Sequence, residues 1–232
     1  MKSSAGKIEL AGFDDLFQTG GEMVQEIPLS ELFPFKNHPF QVRDDEAMQK
    51  TVESIARSGV LSPGIVRPRR EGGYEIIAGH RRKRGSELAG RETMPVLVRE
   101  LDDDEATIIM VDSNLQREKI LPSEKAFAYK MKVNALKHQG ARNDRTSARG
   151  VPKLQARDQV ALDAGEKSHM AVTRYISLTK LIPSLLTMVD EEKLSVSTAA
   201  DYISVLSENE QTDLVSVMDK LGVIPVKGQL VR

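Results

Sequence analysis

Apolar positions recur along the chain with two periods, and the change from one to the other divides it. Val24 to Leu29 reads as an extended segment, and from about Asp45 to Ser58 a helix is expected with Met48, Val52 and Ile55 on one face. Gly59 is placed to end that helix. Ile65-Val66-Arg67 and Tyr74-Glu75-Ile76-Ile77 are β-type runs joined by Arg70-Glu71-Gly72-Gly73, a hairpin signature. The second run leads straight into Gly79, and the helix after it closes at Gly90. Pro95-Val96-Leu97-Val98 predicts another strand, and Asp102-Asp103-Asp104 offers N-caps for a helix reaching Asn114. From Leu121 onward the strands cease. Pro122-Ser123-Glu124 starts a helix in which Ala126, Tyr129, Val133 and Leu136 recur at three- and four-residue steps.

Three regions follow: a flexible tail over 1–22, an α/β domain over 23–120 and a helical domain over 121–232. The tail is rich in Gly and Ser, yet Leu10, Phe13, Leu16 and Phe17 recur at helical spacing, so a short helix would form there on a partner. His138 to Leu154 is polar and basic, with two glycines and a proline, and reads as a mobile loop.

Composition narrows the chemistry. The chain has no cysteine, which excludes a disulfide framework, a thiolate zinc site and a cysteine nucleophile. No apolar run approaches the roughly 18 residues needed to span a bilayer, and a cytoplasmic location is expected. The net charge of -1 conceals an asymmetry. Lys137 to Lys180 holds nine Lys/Arg against four Asp/Glu, a net of +5, whereas Leu181 to Arg232 holds four against eight, a net of -4. A basic middle suits a polyanionic partner.

Two constellations stand out. In the first, a strand ends at Ala78, Gly79 follows, and a helix opens with His80, Arg81, Arg82, Lys83 and Arg84. Unpaired backbone N–H groups and guanidinium forks then meet at one place, which is an anion site suited to a triphosphate. Arginine-rich helix faces are also commonly plain solvated surfaces. Asn114-Leu115-Gln116-Arg117 brings an amide and a cation to the next helix end, where an arginine also complements the dipole.

The second constellation is Gln155 to Leu178: a helix to about Asp163, a tight Ala164-Gly165-Glu166 turn, and a second helix from about Ser168. This is helix-turn-helix spacing, although an ordinary helical hairpin has the same period. Val160, Ala161, Val172 and Ile176 would join the two helices. Ser168, His169, Met170, Thr173 and Arg174 would then face the major groove, with Lys167 at phosphate distance. Arg142, Arg145 and Arg149 lie just upstream, where they would contact backbone phosphates.

Taken in order, these segments resemble the ParB-type partition proteins (ParB/RepB family) found on plasmids, chromosomes and mobile elements. The resemblance rests on Ile27-Pro28-Leu29, Gly59-Val60-Leu61-Ser62-Pro63, Gly79-His80-Arg81-Arg82-Lys83-Arg84, Ser113-Asn114-Leu115-Gln116-Arg117 and Pro122-Ser123-Glu124-Lys125-Ala126. It implies an α/β N-terminal domain of the ParB/sulfiredoxin-like fold, followed by an all-α helix-turn-helix domain. Sulfiredoxin chemistry itself needs the cysteine this chain lacks. The resemblance also implies that CTP with Mg²⁺ closes a clamp around double-stranded DNA. Arg81, Arg82 and Arg84 would then hold phosphates with Gly79 and His80, Asn114 would sit at the metal, Arg117 would support the site, and Ser62 and Pro63 would lie near the base. Leu10, Phe13, Leu16 and Phe17 resemble the segment that engages a Walker-type partition ATPase.

Two positions depart from the family pattern: His80 and Ser113 stand where acids are usual. A carboxylate would hold Mg²⁺ or orient a water, whereas imidazole is a poor magnesium ligand and serine is neutral. A weak CTPase, a binder without turnover, and a helix-turn-helix transcriptional regulator with a vestigial pocket all remain open. A homodimer is expected, either through the domains present or through a further C-terminal domain that has been removed.

Overall fold

The computed structural model describes residues 23–117, 119–143 and 155–225. Leu10, Phe13, Leu16, Phe17, Arg145 and Arg149 lie outside them, and at Arg142 only the backbone is described. The described residues form two compact units. One comprises residues 23–33 with Glu46–Glu100, the other Pro34–Asp45 with Leu101 onward.

The first unit is built on a five-stranded sheet in the order β1-β5-β3-β4-β2. Its strands are β1 (Val24–Pro28), β2 (Leu32–Phe33), β3 (Gly64–Pro68), β4 (Tyr74–Ala78) and β5 (Thr93–Val98). The expected hairpin is present as β3 and β4, antiparallel with Val66 opposite Ile76, while β5 runs parallel to β3 with Ile65 opposite Leu97. Buried Val66, Ile76, Met94 and Val96 face Ile27, Leu29 and Leu32 to form the core. β3 and β4 are buried over consecutive residues, as expected of central strands covered on both faces. β2 was not expected: two residues are too few to show alternation, and the strand exists because Leu32 pairs parallel with Tyr74.

Helices α1 (Glu46–Ser58) and α2 (His80–Leu88) pack together in this unit. α1 is amphipathic, burying Met48 and Ile55, and ends where Gly59 takes φ +70. α2 has no apolar stripe, and its buried residues are Gly85 and Ser86. A Cβ at Gly85 would lie 2.9 Å from Ile55 Cδ1 and 3.2 Å from Thr51 Cγ2. The missing side chain therefore lets α2 lie directly on α1.

The second unit is helical: α3 (Asp103–Leu115), α4 (Pro122–Asn143), α5 (Ala156–Asp163), α6 (His169–Ser177), α7 (Pro183–Asp190), α8 (Val196–Thr198) and α9 (Glu208–Leu221). The Asp102 side chain accepts from Asp104 N and Glu105 N, and the Glu105 carboxylate accepts in turn from Asp102 N, a complete capping box for α3. α4 touches both helical cores. Tyr129 and Val133 pack with Val160, Ala161 and Val172. Ala126 packs with Leu178, Leu185, Leu194 and Ile203.

The structure departs from the expected organisation at three places. The units divide at Glu100–Leu101 instead of at residue 120, because α3 packs along α4 and its buried Ala106, Met110 and Val111 belong there. Pro34–Asp45 also falls in the helical unit, where Phe35 and Phe40 are buried and Gln41 N donates to Glu124 Oε1 at 2.9 Å. Third, α4 continues to Asn143, through the start of the expected loop. Gln139, Ala141 and Arg142 are good helix formers that outweigh the roughly 1 kcal/mol cost of Gly140, and His138 Nδ1 lies 3.2 Å from Asp104 Oδ1.

Candidate functional site

The junction of β4 and α2 is shaped by Gly79, whose φ of 116 and ψ of 15 are strained for any residue with a side chain. A Cβ there would also stand 3.2 Å from Gly64 Cα. α2 then begins without a side-chain cap and with no acid in its first turn, while His80, Arg81, Arg82, Lys83 and Arg84 follow one another. Its positive dipole end thus carries cations, an arrangement that favours an added anion. Two other helices are capped by acids: α3 opens with Asp102 and Glu105, and α9 with Ser207 and Glu210.

Arg82 joins this turn to the preceding one. Its Nη1 donates to the carbonyls of Ser62 and Pro63, each at 2.6 Å, so Ser62, Pro63, Gly79 and Arg82 are brought together. The mode differs from a simple phosphate ligand, because one guanidinium nitrogen is already a strut. Both acceptors are neutral, and burial pulls the Arg82 pKa below the usual guanidinium range. The charge is desolvated without a carboxylate to balance it. Beside it a cleft of about 350 Å³ is lined by Lys50, Thr51, Ser54, Val60, Leu61 and Ser62. Lys83 and Arg84 both reach Glu87, at 2.5 and 3.5 Å.

Asn114 and Arg117 belong to the helical unit. Asn114 is buried at the last turn of α3, with Nδ2 donating to Met110 O at 2.8 Å. Arg117 lies over the Phe40 ring, 5.5 Å from its centroid. His38 shares this corner: its Nδ1 lies 2.7 Å from Phe40 O, and burial, reinforced by Arg117, lowers its pKa to about 4. Asp112 is turned away to Lys132, as the rotation of about 100° per helical residue requires. Among the described residues no group of three His, Asp or Glu is arranged to hold a metal. Asn114 Oδ1 is a single neutral oxygen, where Mg²⁺ prefers carboxylates and phosphates.

The α5–α6 pair has the expected form, with Gly165 at φ +65 in the turn and Ser168 preceding α6. Its fixation to α4 was not foreseen. Glu166 Oε1 accepts from Tyr129 Oη at 2.8 Å and from Lys125 Nζ at 3.0 Å, and burial, followed by Glu166, raises the Tyr129 phenol. Lys132, 1% exposed, donates to Asp112 on α3 and to Asp163, the last residue of α5. A sequence signal existed: Lys132 falls within the apolar stripe of Tyr129, Val133 and Leu136. Lys167, Ser168, His169, Met170 and Arg174 are exposed, and Thr173 is partly buried with Oγ1 donating to His169 O. Two of these side chains meet acids: His169 Nδ1 lies 3.1 Å from Asp158 Oδ1, and Arg174 Nε lies 3.1 Å from Asp201 Oδ1.

Residues 15–115 match the ParB N-terminal domain family. The nucleoid occlusion protein of Listeria monocytogenes serotype 4b (strain CLIP80459) is 30% identical over 212 residues, covering 91% of this chain and 68% of that protein. The probable chromosome 1-partitioning protein ParB of Deinococcus radiodurans is 35% identical over 207 residues, covering 85% of this chain and 64% of that protein. Among solved structures, the C-terminally truncated chromosome-partitioning protein ParB of Caulobacter crescentus, complexed to the centromeric parS site, superposes with a TM-score of 0.50. It is 24% identical, with 86% of this chain and 94% of that chain covered, and shares the fold. In sequence and in fold, the chain belongs to the ParB family.

Proposed function

We propose that the chain is a sequence-specific DNA-binding partition protein whose hold on double-stranded DNA is regulated by CTP. The observation that carries this reading is the start of α2: no cap, no acid in the first turn, a run of cations, and a half-buried arginine balanced only by neutral carbonyls. Such a site is completed by a polyanion. The α5–α6 pair supplies the second half, with the outer surface of α6 exposed and its turn fixed to α4. Relatives named for chromosome partitioning and nucleoid occlusion support a role on DNA.

In this reading the first N–H groups of α2 and the guanidinium groups of Arg81, Arg82 and Arg84 meet the triphosphate, and Ser62 and Pro63 border the base. Asn114 and Arg117 are assigned to the same ligand by the family resemblance. With His80 and Ser113 in place of acids, CTP is bound much faster than it is turned over. Lys167, Ser168, His169, Met170, Thr173 and Arg174 contact DNA, joined by Arg142, Arg145 and Arg149. A homodimer, and a Walker-type ATPase held through Leu10, Phe13, Leu16 and Phe17, complete the proposal.

The test is a titration of CTP, ATP and GTP against the protein, alone and with closed or linear DNA. CTP-selective binding that retains protein on closed DNA through a high-salt wash is expected. DNA binding with no response to any nucleotide would replace the proposal with a helix-turn-helix regulator whose pocket is vestigial.

A further inference from the structure

Arg174 lies on the second turn of α6, with its side chain 47% exposed, and its Nε donates to Asp201 Oδ1 at 3.1 Å. Asp201 does not ride on α6. It sits in a π-helical turn, Ala199–Ile203, whose Ala199, Ala200 and Ile203 are buried in the core and whose entry is capped by Ser195 Oγ accepting from Thr198 N at 3.1 Å. The carboxylate is thus presented by an independent, firmly packed element. Widened turns of this type inside helices are frequent at functional sites.

Stability does not explain the pair, since an ion pair this exposed contributes little. Geometry gives it a use. Occupying Nε fixes the plane of the guanidinium and leaves Nη1 and Nη2 as a two-donor fork. Two parallel N–H donors in that spacing match O6 and N7 of guanine in the major groove, the commonest specific arginine contact. Holding the side chain in advance also removes the ordering cost of the contact. Asp201 has a second consequence: a negative charge beside the reading surface weakens indiscriminate attraction to DNA, which raises the ratio of specific to non-specific binding.

We infer that Arg174 reads a guanine base in the recognised duplex and that Asp201 is its positioning residue. The inference rests on the DNA-reading role proposed for α5–α6.

The experiment selects the preferred duplex of the full chain from a randomised DNA pool, then measures affinities for every single-base replacement. Wild type is compared with Arg174→Lys, Arg174→Ala and Asp201→Ala, each checked by thermal melting. In the wild type, replacing one guanine lowers affinity about tenfold or more. Arg174→Lys keeps the charge but loses the fork, and discrimination at that base pair alone flattens to within about threefold, as it does in Arg174→Ala. Asp201→Ala reduces discrimination at the same base pair and strengthens binding to random duplex. Uniform weakening by both Arg174 variants, with guanine selectivity intact, would make Arg174 a phosphate contact and overturn the inference. Stronger binding by Asp201→Ala with undiminished guanine selectivity would make Asp201 a mere competitor, and overturns it too. A wild type that selects no duplex removes the DNA-reading role itself, a failure distinct from the other two.

Discussion

Each unit withdraws a cation from solvent, Lys132 fully and Arg82 in part, and the two are balanced in opposite ways. Lys132, deep among α3, α4 and α5, is held by the carboxylates of Asp112 and Asp163. Arg82, under the start of α2, is held by the carbonyls of Ser62 and Pro63. The first charge is cancelled where it sits and serves only to fix three helices. The second is desolvated yet uncancelled, so its field remains for an incoming anion. A buried cation with paired acids marks scaffold; a half-buried one with only neutral acceptors marks a site.

The largest effect is expected at Lys132. Lys132→Met strands two acids at the helix junction and should cost about 3–5 kcal/mol of stability in denaturant unfolding, as for other broken buried ion pairs. Asp112 already titrates high, chiefly through desolvation, and loses its cation in the variant. An acid whose folded pKa is raised binds its proton more readily when folded, so the variant should regain stability as pH falls below neutrality. Replacing both acids by asparagine alongside Lys132→Met should recover most of the loss, which would confirm cancellation as the function of the trio.

Gly79→Ala sharpens the other side. The positive φ and the 3.2 Å approach to Gly64 Cα predict a cost of about 1–3 kcal/mol. Calorimetric nucleotide titration should show weaker binding as well, because the backbone that approaches the ligand moves. Glu166→Gln should cost less, about 1–2 kcal/mol in thermal or denaturant unfolding, since the Lys125 and Tyr129 contacts weaken while the shape persists.

The smallest effect concerns His38, at the Phe40–Arg117 corner. Its folded pKa of about 4 lies below the ordinary 6.5, so the unfolded chain takes up the proton first. Stability from this group is present above pH 6.5 and is lost as pH falls towards 4. His38→Gln should flatten the dependence of melting temperature on pH across that window.

Much of this was legible in the sequence where the deciding interactions are local. Burial of Met48 and Ile55 on one face, the β3–β4 hairpin and the Asp102–Glu105 box all follow from residues a few positions apart. The Gly79 turn and its arginines were legible for the same reason. What escaped depends on distant partners. Arg82 meets carbonyls 20 and 19 residues away, and Arg174 meets an acid 27 residues on. β2 exists only through its pairing with β4, and Pro34–Asp45 takes its place through Phe40 and Gln41. Periodicity carries no record of such pairings, although a lysine within the apolar stripe of α4 was a visible anomaly.

The most direct test of the uncancelled charge is calorimetric titration of CTP into the wild type and Arg82→Ala, with the melting temperature of each measured without ligand. Saturable CTP binding in the wild type is predicted, weakened at least about tenfold in the variant as expected for a lost charge-assisted contact, with only a small drop in melting temperature. Equal CTP affinity in both proteins would contradict the account.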